Sequence, residues 1–303
     1  MQKIGLTLSG GAAYGLAHIG VIKVLVENNI PIDYISGTSM GALIGGLYSA
    51  GISVAEMEKI LETSTRSMIV DIDLFGLTEG FLYGKKVVNF LRKIIKNDVK
   101  IEELKIPFCA VAGDIKSGKK YVFKSGDLID AIRASISIPG IFKPVRKDNM
   151  LLVDGGVCDN LPVDEVRNLG AEKVIAVDVC SFYTHEPKFK SVIDVLINSS
   201  NMLVSHMVQA QKDKGDVYIK IDQPNVVAEQ LNYQNSLNAI KNGELAALKA
   251  LPKIRRLLGI KSPKVSKKFS QLKHDDCNQI NNACQNHTHS SRENNFENEI
   301  EHH

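Results

Sequence analysis

The stretch Asp33-Tyr34-Ile35-Ser36-Gly37-Thr38-Ser39-Met40-Gly41-Ala42-Leu43-Ile44 decides how this chain folds. Tyr34, Ile35 and Ser36 suit a short strand, while residues 40–50 recur with helical spacing until Gly51 ends the run. Ser39 therefore falls on a strand-to-helix turn, between Gly37 and Gly41. In a turn of this kind the backbone bends sharply, small neighbours allow close approach, and the hydroxyl projects from the sheet. The helix start beneath it supplies free N–H groups and a positive dipole end, which favour negative charge developing beside the nucleophile. Alone the pattern is weak, since a chain with 23 glycines among 303 residues produces it by chance in roughly one sequence of eight. The surrounding segments decide its weight.

Upstream, Leu6-Thr7-Leu8-Ser9-Gly10-Gly11-Ala12-Ala13-Tyr14-Gly15-Leu16 reads as strand, small-residue loop and helix start. Such a loop aims bare backbone N–H groups at one point, which suits either an oxyanion hole or a dinucleotide cradle. Asp33 stands at the spacing of a ribose-binding acid and favours the second reading, whereas the methyl of Ala12 would obstruct a pyrophosphate and disfavours it. His18, just beyond the loop, reads as a residue that packs or hydrogen-bonds at the helix start. Downstream, Leu151-Leu152-Val153-Asp154-Gly155-Gly156 reads as an apolar strand ending in a carboxylate, at the sheet edge where α/β folds build their sites.

Extended apolar runs at residues 4–8, 34–36, 108–112, 121–124, 151–153, 174–179 and 217–221 alternate with helical periods at 16–26, 40–50, 54–63, 85–95, 192–211 and 237–258. This rhythm predicts one α/β domain over residues 1–260, a three-layer α/β/α arrangement around a mainly parallel central sheet. From residue 261 to 303 the chain turns rich in Asn, Gln, Ser, His and charge, the composition of a disordered tail. The net charge of +3 and the absence of Trp argue against a nucleic-acid partner. Five cysteines without CxxC spacing read as reduced thiols, and Cys277, Cys284, His287 and His289 match no common metal spacing. No metal or cofactor is expected. The opening residues lack a signal-peptide layout and no run reaches membrane-spanning length, so the expected location is the cytoplasm, with transient contact at a membrane surface. The basic, apolar stretch at residues 85–96 is the segment suited to such contact, although its spacing also fits a helix with its apolar face in the core. Nothing in the sequence sets an oligomeric state.

In this order, the glycine loop, Gly37-Thr38-Ser39-Met40-Gly41 and Asp154-Gly155-Gly156 resemble the patatin-like phospholipases, serine acyl hydrolases with a Ser-Asp dyad. The resemblance extends through Gly80-Phe81-Leu82-Tyr83-Gly84-Lys85, Ile106-Pro107-Phe108-Cys109-Ala110-Val111-Ala112, Ile132-Arg133-Ala134-Ser135-Ile136-Ser137-Ile138-Pro139-Gly140-Ile141-Phe142 and Asp159-Asn160-Leu161-Pro162-Val163. It covers residues 1 to about 258. It implies a lipid or phospholipid ester substrate, Ser39 as nucleophile, Asp154 as general base and the backbone of Gly10, Gly11 and Ala12 as oxyanion hole. Gly15, Gly37, Gly41, Gly155 and Gly156 complete the motifs. Two positions depart from the family pattern, Ala12 for glycine and Tyr14 for Arg or Lys. The competing expectations are a Ser-Asp-His esterase using His185 or His206, and a non-catalytic nucleotide- or lipid-binding regulator on the same fold.

Overall fold

A computed structural model describes residues 2–64, 84–95, 98–180, 192–226 and 232–260 of the chain. The expectations for Gly80 to Tyr83, for His185 and for the tail with Cys277, Cys284, His287 and His289 lie outside the described residues.

Strands β1 (Ile4–Leu8), β2 (Tyr34–Thr38), β3 (Phe108–Asp114), β4 (Lys119–Phe123), β5 (Val145–Lys147), β6 (Met150–Asp154), β7 (Lys173–Asp178) and β8 (Val217–Lys220) form one sheet in the order β5-β6-β3-β2-β1-β7-β8, with β4 also paired to β3. The pairings from β3 through β2, β1 and β7 to β8 are parallel, and those joining β3, β4, β5 and β6 are antiparallel. The sheet is thus an α/β sheet with a parallel centre and an antiparallel flank. Helices are α1 (Ala17–Glu27), α2 (Met40–Ser49), α3 (Val54–Ser64), α4 (Lys85–Ile94), α5 (Leu128–Ser135), α6 (Val163–Asn168), α7 (Val192–Gln211) and α8 (Tyr233–Leu257). Strand β5 and helices α5 and α6 were absent from the sequence expectation. At three, eight and six residues they are too short to show a hydrophobic period.

Both faces of the parallel centre are covered, as the alternation along β7 shows: Ile175 and Val177 join the larger core with β1, α1, α2, α5 and α8, while Val174 and Ala176 join a smaller core with Val166 of α6 and Val208 of α7. The strand register then places the site. Strand β4 takes one side of β3 from Ala110 to Asp114, so β2 and β6 share the other. The β2 pairing runs from Ile35↔Phe108 to Thr38↔Val111, and the β6 pairing begins at once with Asp154↔Ala112. Two strands of opposite direction therefore meet end to end along β3, with their C-terminal residues facing each other.

Candidate active site

Ser39 follows Thr38 at the end of β2 and caps α2, with φ 54° and ψ −123°. A non-glycine residue in this region carries backbone strain of about 1–2 kcal/mol. Its surroundings hold it there. The Ser39 N–H donates to Ser135 Oγ at 2.9 Å, and Ser135 Oγ donates to the Val111 carbonyl at 2.6 Å, tying the turn to α5 and β3. Gly41 is required by contact, because a Cβ there would lie 2.2 Å from the Leu8 carbonyl oxygen. Helix α2 thereby rests directly on the backbone of β1.

Ser39 Oγ donates to Asp154 Oδ2 at 2.5 Å, and both side chains are buried. The other carboxylate oxygen, Oδ1, accepts the Gly156 N–H at 2.7 Å, and the Asp154 N–H donates to the Ser137 carbonyl at 2.8 Å. Burial pushes the Asp154 carboxyl up to about 6, opposed by the bonds from Ser39 and Gly156. A carboxylate tuned to this range is ionised at neutral pH yet basic enough to take a hydroxyl proton.

The glycine loop lies against Ser39: a Cβ on Gly10 would stand 3.0 Å from Ser39 Cβ. Its three residues are not equivalent. The Gly10 N–H is spent on the Asn160 carbonyl at 3.2 Å, and the Gly10 carbonyl accepts from Asn160 Nδ2 at 3.4 Å and Cys180 Sγ at 3.3 Å. The N–H groups of Gly11 and Ala12 donate to no described residue. Ala12 sits at φ 47°, the left-handed region where glycine is the low-strain residue. Tyr14 is buried in the larger core and its carbonyl accepts from Gln223 Nε2 at 2.9 Å. The end of the loop is thus fixed by apolar contact and a buried amide.

Ser39 also forms part of the wall of an apolar cavity of about 140 Å³. Its lining comes from Leu43 and Leu47 of α2, Leu61 of α3, Phe90 and Ile94 of α4, and Phe142 after α5. The apolar residues of α4 at 87, 90, 91 and 94 therefore border the site, a role their spacing alone does not distinguish from ordinary core contact. Among the described residues no His, Cys, Asp and Glu group is placed to hold a metal.

The geometry places Asp33 and the two described histidines away from the chemistry at Ser39. Asp33 lies at the N-terminal end of β2, where Oδ2 accepts the Ile4 N–H at 2.7 Å, roughly 15 Å along the strand from the glycine loop end. It cannot serve a nucleotide held at that loop. His18 is fully buried beside the loop, with Nε2 donating to the Ser9 carbonyl at 2.8 Å and burial lowering its pKa to about 4. It braces the loop as a neutral residue. His206 is exposed on α7, and neither described histidine bonds Ser39 or Asp154.

The model of the patatin-like phospholipase family matches residues 6–167, which include the glycine loop, Ser39 and Asp154. The chain belongs to the patatin-like phospholipase family. Among relatives, an uncharacterized NTE family protein of Mycobacterium tuberculosis is 40% identical over 179 residues, 58% of this chain and 49% of that protein. Lysophospholipase nte1 of Aspergillus fumigatus is 36% identical over 193 residues, 62% of this chain and 12% of its own length. This patatin-like chain thus spans about half the length of the mycobacterial relative and a smaller share of the fungal one. In structure it is similar to VipD from Legionella pneumophila, with a TM-score of 0.48 and 13% identity over 83% of this chain and 67% of that one.

Within this patatin-like site, sequence reasoning passed over the residues that hold the dyad in place. Ser135 fixes the Ser39 backbone and the Ser137 carbonyl fixes the Asp154 backbone. Arg133 Nη1 donates to Ser137 Oγ at 2.6 Å and Nη2 to the Lys143 carbonyl at 3.0 Å, and its guanidinium lies 5.1 Å from the Phe142 ring centre. Asn160 grips Gly10 on both its N–H and its carbonyl. The segments carrying these residues stood out in the family resemblance, but no local signal tells which atoms they would hold.

Proposed function

We propose that the chain is a lipid acyl hydrolase that cleaves carboxylic esters through an acyl-enzyme on Ser39, with Asp154 as general base. Ser39 Oγ attacks the ester carbonyl carbon while its proton passes to Asp154 Oδ2, and the Gly11 and Ala12 N–H groups stabilise the tetrahedral oxyanion. Collapse of that intermediate expels the alcohol, which takes the proton from Asp154, and leaves the acyl group on Ser39. Water then gives its proton to Asp154 as it attacks the acyl carbonyl, and the proton returns to Ser39 Oγ as the fatty acid departs.

The observation that carries this reading is the 2.5 Å bond from Ser39 Oγ to Asp154 Oδ2 at the wall of an apolar cavity. The cavity suits an acyl chain, and its lining among the described residues includes no charged side chain. Family membership and the lysophospholipase name of the fungal relative support a phospholipid or lysophospholipid ester as the substrate class.

The test compares wild type, Ser39→Ala, Asp154→Asn and His206→Ala on a soluble short-chain ester and on lysophosphatidylcholine. Loss of turnover in the first two variants with His206→Ala unchanged is the expected result. Full turnover by Ser39→Ala, or loss in His206→Ala with Asp154→Asn active, would overturn it.

A further inference from the structure

The backbone of Asp159 meets all three segments of the site. Its N–H donates to the Gly155 carbonyl at 2.8 Å, one residue after Asp154, and its carbonyl accepts Thr38 Oγ1 at 2.7 Å, one residue before Ser39. The next residue, Asn160, takes the Gly10 N–H on its carbonyl and gives Nδ2 to the Gly10 carbonyl. Further on, the Pro162 carbonyl accepts Ser36 Oγ at 2.8 Å, so β2 is tied to this segment twice. Strand pairing does not do this work for the glycine loop. The pairings of β1 with β2 and β7 end at Leu8, and Gly10 lies beyond them.

The Asp159 side chain takes no part in those bonds, yet it is only 2% exposed. Its Oδ2 accepts Lys120 Nζ of β4 at 2.9 Å, and its Oδ1 accepts Gln211 Nε2 at the end of α7, also at 2.9 Å. Lys120 Nζ also lies 2.6 Å from Glu165 Oε1 of α6, a second buried carboxylate. Burying a carboxylate is costly unless it is paired and hydrogen-bonded, so one cation here compensates two acids and fixes where both can sit. The antiparallel flank, through β4, thereby holds the one residue on which the nucleophile turn, the Asp154 turn and the glycine loop converge.

We propose that Asp159 is a positioning residue whose ion pair with Lys120 keeps Ser39, Asp154 and the glycine loop aligned with one another. Misplacing reacting groups by about 1 Å costs on the order of a hundredfold in turnover, and a slack Asp159 would loosen three contacts at once. The inference rests on the acyl-hydrolase reading, and Ser39→Ala in the same assay separates the two.

The experiment measures kcat and KM on a soluble short-chain ester for Asp159→Asn, Lys120→Met, Lys120→Arg, Lys119→Met and Ser39→Ala, with a thermal melt of each to refer kcat to folded protein. Asp159→Asn keeps the side-chain shape and removes its charge. It and Lys120→Met are expected to lower kcat about ten- to a hundredfold with KM within about threefold of wild type. Lys120→Arg keeps the cation and is expected to retain at least about a third of wild-type kcat. Lys119→Met removes a cation from the adjacent position of β4 and is expected to match wild type. Wild-type kcat in Asp159→Asn and Lys120→Met with only Tm lowered would make the pair purely structural and overturn the inference. So would a raised KM at normal kcat, a loss in Lys120→Arg as deep as in Lys120→Met, or an equal loss in Lys119→Met. Wild-type activity in Ser39→Ala would instead count against the hydrolase reading.

Discussion

Ser39 and Asp154 stand 115 residues apart in sequence, yet their side chains meet at 2.5 Å because the strands before them end on consecutive residues of β3. Thr38 pairs with Val111 and Asp154 pairs with Ala112, so the dyad is set by strand register and does not depend on a flexible loop. A serine and a carboxylate held this way need no third residue for orientation. The Gly156 N–H on Oδ1 and the Ser137 carbonyl on the backbone already fix the carboxylate.

With Asp154 as the proposed base, its raised pKa is expected to set the acid limb of the reaction. The base is lost on protonation, so kcat/KM is expected to fall about tenfold per pH unit below about 6 and to level off above it. A pH–rate profile on a soluble ester checks this. An acid limb centred near 4 would mean that the carboxylate is not desolvated.

The same shift opposes folding. The carboxyl titrates at about 6 when folded against 3.8 as the reference, so there is no cost below 3.8, the cost grows between the two values, and it is complete above 6. That full cost is at most about 3 kcal/mol. Asp154→Asn is therefore expected to raise Tm at neutral pH by up to roughly 5 °C and to lose that advantage near pH 4, while turnover falls by about 10²–10⁴. Calorimetry at the two pH values measures it, and a variant less stable than wild type at neutral pH would contradict it.

Much of this site was legible in the sequence and some was not, for physical reasons. The turn at Ser39 is readable because close backbone approach demands glycine at 41, and Asp154 because it ends an apolar strand run before two glycines, in the order the family resemblance gives. The parallel centre of the sheet is readable because strands buried on both faces carry continuous apolar runs, as Val174-Ile175-Ala176-Val177 of β7 does. The end-to-end meeting of β2 and β6 is not readable, since it depends on β4 occupying the opposite side of β3. Nor is the commitment of the Gly10 N–H to Asn160, a bond between residues 150 apart in sequence. The border of α4 on the apolar cavity escaped for a related reason: its periodicity shows that one face is apolar, but not what that face meets.

Ala12 offers a test of the loop. At φ 47° its methyl carries strain that glycine avoids, so Ala12→Gly trades about 1–2 kcal/mol of relief against about 0.5–1 kcal/mol of added unfolded-chain entropy. The expected result is an unchanged or slightly higher Tm with turnover retained. A fall of several degrees in a thermal melt would show that the methyl contributes contacts outweighing its strain.

Asn160 positions the loop from behind. Asn160→Ala removes the Nδ2 donor to the Gly10 carbonyl and to Cys180 Sγ while leaving the backbone bond, so the Gly11 and Ala12 N–H groups lose alignment more than the cavity loses shape. Steady-state kinetics are expected to show kcat lowered about ten- to a hundredfold with KM nearly unchanged. A raised KM with normal kcat would place Asn160 in ground-state binding.

Leu43 lines the apolar cavity one helical turn beyond Ser39, its N–H donating to the Ser39 carbonyl at 3.0 Å. Leu43→Trp fills part of the 140 Å³ and is expected to depress kcat/KM for long-chain esters at least about tenfold more than for butyrate esters. Uniform loss across chain lengths would mean that the acyl group lies elsewhere.

The most direct measurement is peptide mapping by mass spectrometry after reaction with a fluorophosphonate, run on wild type, Ser39→Ala and Asp154→Asn. One adduct on Ser39 in wild type, none in Ser39→Ala and greatly slowed labelling in Asp154→Asn is the expected pattern. An adduct on any other residue of wild type, or undiminished labelling of Ser39→Ala, would contradict Ser39 as the nucleophile that Asp154 activates.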